Sequence, residues 1–175
     1  MVRVWDMFVR AFHWCVAALF ATAYVSADWR TLHLWSGYII LVLLAARLIW
    51  GVTGPRYARF GNFLKRPATV IDYVRKVIAR REPRYLGHNP AGGAMIAALF
   101  ILLASISISG VLLRTDLFWG SEALQSLHGL LADTTVALIP LHIGGVVMTG
   151  LRHGENLVWS MMTGLKRAPT DGDVT

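Results

Sequence analysis

Apolar residues fall in blocks along this chain rather than alternating with polar ones. Four blocks, at about 7–26, 33–51, 93–113 and 123–150, approach the roughly 20 residues that a bilayer core requires. The connection between the second and third blocks has another pattern. It opens with the turn-rich GVTGPRYARFG. In PATVIDYVRKVIARRE, Val70, Ile71, Val74, Val77 and Ile78 then recur at helical spacing with basic residues between them. This predicts an amphipathic helix over 67–82, lying on a membrane surface or serving as a docking helix, with the surface role favoured. GHNPAGG turns the chain into the third block. The expected fold class is all-α integral membrane: a four-transmembrane-helix bundle forming one domain over residues 1–175, with no internal repeat.

Composition supports that picture. The chain is 55% hydrophobic and only 15% charged, too few charges for an ordinary soluble domain. Its net charge of +7 would suit nucleic acid, but the bases are placed otherwise. Arg56, Arg59, Lys65, Arg66, Arg75, Lys76, Arg80, Arg81 and Arg84 all lie in the connection 52–92. Arg3 and Arg10 flank the first block, and Arg152, Lys166 and Arg167 follow the fourth. The other two connections hold Arg30 and Arg114 beside Asp28, Asp116 and Glu122. By the positive-inside rule, both termini and the connection 52–92 are expected to be cytoplasmic. Nucleic acid is not an expected partner. The basic start and YVSAD imitate a secretory signal, yet the first block reads as an uncleaved span. Cys15, the single cysteine, permits no internal disulfide.

Six histidines are present, and topology sorts them. His88 and His153 fall outside the apolar blocks and are expected to be solvated. His13 and His142 lie at inner depth, and His33 and His128 at outer depth. Each pair joins an early span to the fourth. His128 and His142, at ~1.5 Å rise per residue, are separated by roughly 21 Å along one helix and return to nearly one face. Two imidazoles converging from opposite sides suit the axial positions of a haem iron. Zinc more often takes four ligands with cysteine or carboxylate among them. A proton relay, or histidines that merely pack between helices, are the other readings.

Other residues bear on a bulky ligand. Gly37, Gly110, Gly129, Gly144 and Gly145 leave room for a flat group, and equally for helix packing. Haem propionates would need cations: Arg10 and Arg47 at inner depth, Arg30 and Arg114 at outer depth, unless these snorkel to headgroups. Asp133 is an unexplained charge, with a proton path, a quinone pocket, Arg114, or a serine or threonine as its candidate partners.

RAFHW in the first span, a histidine opening the second, GHNPAGG before the third and two histidines in the fourth resemble bacterial cytochrome b561. The wider family includes the cytochrome b subunits of nickel-iron hydrogenases. The resemblance covers essentially the whole chain. It implies two haem b groups with axial ligands His13/His142 and His33/His128. It also implies electron exchange with membrane quinone, and GPRYARF and GHNPAGG look most like short stand-alone members. The expected role is a dihaem conduit in the bacterial inner membrane, an electron-transfer protein with candidate quinone oxidoreductase activity. Its expected partners are lipid, quinone and a periplasmic c-type cytochrome or redox enzyme, with a second copy of the chain as a further candidate. The alternatives are a superoxide oxidase delivering electrons to ubiquinone, and a non-redox membrane anchor. The acidic residues of the outer connections count against attracting an anion such as superoxide.

Overall fold

The computed structural model describes all residues 1–175. Its order is β1 (Val2–Arg3), α1 (Met7–Val25), α2 (Arg30–Thr53), a 3₁₀ turn at Arg56–Ala58, α3 (Phe60–Phe63), α4 (Pro67–Ile78), α5 (Pro90–Leu112), α6 (Glu122–His153), α7 (Leu157–Thr163) and β2 (Leu165–Lys166). Helices α1, α2, α5 and α6 are long and apolar enough to cross a membrane. Only 6% of the most apolar stretch of α6 is buried inside the protein, so its apolar side chains need a lipid environment.

Local chemistry sets where these helices begin. Asp6 caps α1 by accepting the Val9 N–H at 3.0 Å. Asn89 does the same for Gly92 at 2.7 Å. With Pro90 as the first helical residue, where its missing N–H costs nothing, α5 starts earlier than the apolar block suggested. Ser121 accepts from Leu124 at 3.3 Å, and Glu122 stands in the first turn of α6. That helix runs 32 residues and contains Pro140. The second helix likewise extends past its apolar block at both ends, from Arg30 to Thr53.

The amphipathic helix is shorter than the sequence pattern predicts. It ends at Ile78, because Arg80 takes a φ of 55°, a left-handed conformation that stops the helix. Ile71 and Ile78 stay exposed on it. The turn-rich stretch before it holds the 3₁₀ turn and α3.

The chain forms two compact units, and every long helix contributes to both. One unit comprises residues 1–10, 49–97 and 141–175. Here β1 pairs antiparallel with β2, Val2 opposite Lys166. Val4, Trp5 and Leu86 form its core, with Tyr57 and Met161 against them. Helix α7 is capped by Asn156 and ends at Gly164, whose φ of 82° suits glycine. The Gly164 carbonyl then accepts the N–H groups of Val4 and Trp5.

Charged groups hold this unit's tail. Buried Arg84 donates to Glu155 at 2.5 Å, to Asp173 and to the Arg167 carbonyl. Lys166 reaches Glu155 at 3.3 Å and the Tyr85 carbonyl at 3.1 Å. Val174 exchanges backbone hydrogen bonds with Arg84 and Leu86. Arg152 bonds Glu82 at 2.7 Å and the Val77 carbonyl.

The other unit comprises residues 11–48 and 98–140, and is built from segments of the four long helices. Phe20 of α1 packs with Ile40 and Leu44 of α2. Leu103 of α5 and Val136 of α6 close around them.

Candidate functional site

The four-helix unit contains an open-sided cavity of about 460 Å³, within the usual range of small-molecule sites. His33 of α2 and His128 of α6 both line it, their ring centroids 6.0 Å apart and their planes at 65°. Two imidazoles holding one metal from opposite sides, with bonds of about 2 Å each, place their ring centroids roughly 6 Å apart. The separation in this cavity matches that requirement.

Which nitrogen each histidine offers follows from its second hydrogen bond. His33 Nδ1 lies 2.9 Å from the carbonyl oxygen of Ala23 on α1. A carbonyl only accepts, so Nδ1 carries the proton and donates it. Nε2 is then left with a lone pair. His128 Nδ1 lies 2.9 Å from Ser109 Oγ on α5. A hydroxyl could act either way, but Ser109 donates its one proton to the Ile106 carbonyl at 2.9 Å. Its oxygen therefore accepts from His128, and His128 also presents a bare Nε2. Fixing the tautomer through the remote nitrogen is how metal-ligating histidines are usually oriented. All four long helices take part: α2 and α6 carry the imidazoles, α1 and α5 their tethers.

The cavity walls fit a flat group. A Cβ built at Gly37 or Gly129, both on the wall, would meet nothing and would project into open space. Gly110 serves a different need: its Cβ would stand 3.2 Å from His128 Cε1, so glycine there lets α5 approach the imidazole. Gly144 and Gly145, in the other unit, also face open space.

No cluster of three or more His, Cys, Asp or Glu groups that could hold a metal ion is present. The residues fit a cofactor that brings its own equatorial ligands and takes two imidazoles, which is what haem requires.

The other expected residues are placed as follows. His13, half-buried on α1, meets Trp14 edge-on at 4.9 Å, in the same unit as the cavity. His142 is half-buried on α6 and belongs to the other unit. Arg47 is buried on α2. Arg10 donates to the Met162 carbonyl. Arg30 is exposed at the start of α2. Arg114 is exposed and lies over the Trp119 ring at 5.7 Å, so it is not the partner of Asp133. Nor does a serine or threonine pair with Asp133. Tyr24 Oη of α1 donates to Asp133 Oδ1 at 3.0 Å, and both residues line the cavity.

One histidine departs from expectation. His88 is not merely solvated: its ring packs at a tilt against Trp5 at 4.4 Å and Phe63 at 4.7 Å. His153 lines an open cleft with Arg80, Glu82 and Arg152.

Sequence reasoning missed Ser109, the Ala23 carbonyl and Tyr24. Ser109 left a trace, as one of three serines in the apolar ASISISG run. Nothing in that run separates it from Ser105 and Ser107. A backbone carbonyl leaves no trace at all.

The family model for prokaryotic cytochrome b561 matches residues 4–164. No curated protein and no solved structure matches the chain.

Proposed function

This chain belongs to the prokaryotic cytochrome b561 family, and on that premise we propose that the whole chain is one dihaem b-type cytochrome of the bacterial inner membrane. It passes electrons between a periplasmic redox partner and the quinone pool. The observation that carries the proposal is the His33–His128 pair: two rings at metal-spanning separation, each with Nδ1 tethered and Nε2 bare.

His33 and His128 would hold one haem. His13 and His142 are assigned to the second on the sequence pattern and the family alone. Held by His33 and His128, haem would supply a one-electron iron couple suited to electron transfer. The chain's own residues do the rest. Ala23 and Ser109 keep both imidazoles neutral and aimed. Phe20, Ile40 and Leu103 on the cavity wall keep water out and the dielectric low, a direct influence on potential. Arg10, Arg47, Arg30 and Arg114 are the candidate propionate partners at the two depths. The concentration of bases in 52–92 supports a cytoplasmic location for that connection and both termini by the positive-inside rule.

Purified protein in lipid should show a sharp reduced b-type band and two haems per chain. His33→Ala and His128→Ala should each lose the same haem, and His142→Ala the other. A colourless protein after haem supplementation would end the proposal. Loss of one haem by both His128→Ala and His142→Ala would overturn the pairing.

A further inference from the structure

Asp133 is a carboxylic acid in an apolar span, and such groups in membranes usually face a cavity or a partner and have a function. It lines the same cavity as His33 and His128, five positions along α6 from the latter. Its one hydrogen-bond donor is Tyr24 Oη, at 3.0 Å to Oδ1. No cation pairs with it. The titratable groups facing the cavity are Tyr24 from α1, His33 and Tyr38 from α2, and His128 beside it on α6. Helix α5 contributes none. No lysine or arginine lines the cavity, so no fixed positive charge balances the carboxylate there.

That arrangement constrains what happens when an electron arrives. One electron adds one negative charge to an apolar membrane span, where charges interact far more strongly than in water. The histidines are unable to compensate by protonation, because their Nδ1 atoms already carry protons and Nε2 is used for ligation. Tyr24 is already a donor. Among the side chains that line the cavity, Asp133 is the remaining group able to accept a proton.

We propose that Asp133, held by Tyr24, is the proton-accepting group of the His33/His128 cavity, taking up one proton for the electron gained there. The proposal rests on the haem reading of that cavity. The electron comes from a one-electron donor, a reduced c-type cytochrome, which is oxidised as the bound haem iron would pass from ferric to ferrous. The proton comes from water and forms an O–H bond on the carboxylate while Tyr24 keeps its bond to Oδ1. Reoxidation returns both. The pair thus makes electron transfer at this site neutral in net charge.

The test is potentiometric titration, between pH 5.5 and 8.5, of the haem-loaded full chain in lipid nanodiscs, following the haem that His128→Ala removes. Its midpoint should fall with rising pH, approaching ~59 mV for each tenfold change in proton concentration. Asp133→Asn should flatten that slope, and Tyr24→Phe should move the pH window in which it appears. Equal slopes in wild type and Asp133→Asn overturn the proposal. Should Asp133→Asn lose the haem, reduced-minus-oxidised infrared spectra of wild type decide. A protonated-carboxyl band gained on reduction, displaced in Asp133→Glu, supports the proposal; its absence overturns it. A protein that shows the slope but exchanges no electrons with quinone refutes the proposed quinone function and leaves this inference standing.

Discussion

The two compact units satisfy their polar groups in opposite ways. In the unit holding both chain ends, charge meets charge. Arg84 has Glu155, Asp173 and a carbonyl, and Lys166 shares Glu155. Burial opposes ionisation of Glu155, but the bonds from Arg84 and Lys166 outweigh it and hold the carboxyl below its ordinary range. Burial, with nearby Glu82 and Tyr85 adding to it and Arg152 opposing, pushes Tyr73 the other way, up to about 12. In the four-helix unit the histidine contacts are neutral and incomplete. His33 and His128 each spend one nitrogen on a tether and keep the other. Where opposite charges pair with one another, the residues hold structure. Where one is left over at the right separation, there is a place for a ligand.

That contrast can be broken from either side. Removing the clamp with Arg84→Ala leaves Glu155 and Asp173 short of a buried cation. It should cost about 3 kcal/mol, the scale of breaking a buried ion pair. Denaturant unfolding in detergent would measure it, while the haem spectrum at His33/His128 should be unchanged. A parallel loss of that haem would show that the distinction between the units is false.

Ser109→Ala attacks the other unit. It removes the acceptor that fixes the His128 tautomer, and haem affinity at that site should fall about 10- to 100-fold, as second-sphere losses do. Haem-transfer kinetics would read it, and Ser109→Thr should restore most of the loss. An unchanged affinity would mean that the tether does not orient the imidazole.

Acid separates the units more gently. The folded value of Glu155 is depressed, so its contribution is complete above the unfolded value and is lost as pH falls through the folded one. The clamp should therefore hold at neutral pH and begin to weaken below about pH 4.3, the ordinary glutamate value. Limited proteolysis of the 165–175 tail across pH 3–7 would follow it. A tail released already at pH 6 would contradict the assignment.

Much of this protein is legible in its sequence because lipid is an undemanding solvent to read. A helix must satisfy its own backbone there, so length and apolarity suffice to find α1, α2, α5 and α6. Histidine in such a setting stands out, and His33 and His128 could be matched by depth before any geometry was known. The helix ends were less legible, because Asn89 and Ser121 act by capping and Arg80 by a backbone conformation. Helix α7 and the β1–β2 pair went unanticipated, since seven- and two-residue elements carry too little periodicity.

The sequence by itself determined the four long apolar helices and the family, since these depend on local apolarity and residue type. Only the tertiary structure decided that His33 and His128 stand 6.0 Å apart, which nitrogen each offers and that Asp133 answers to Tyr24. Those facts rest on hydrogen bonds between residues as many as 109 positions apart in the chain, and a directional bond exists only once packing has brought its two ends together.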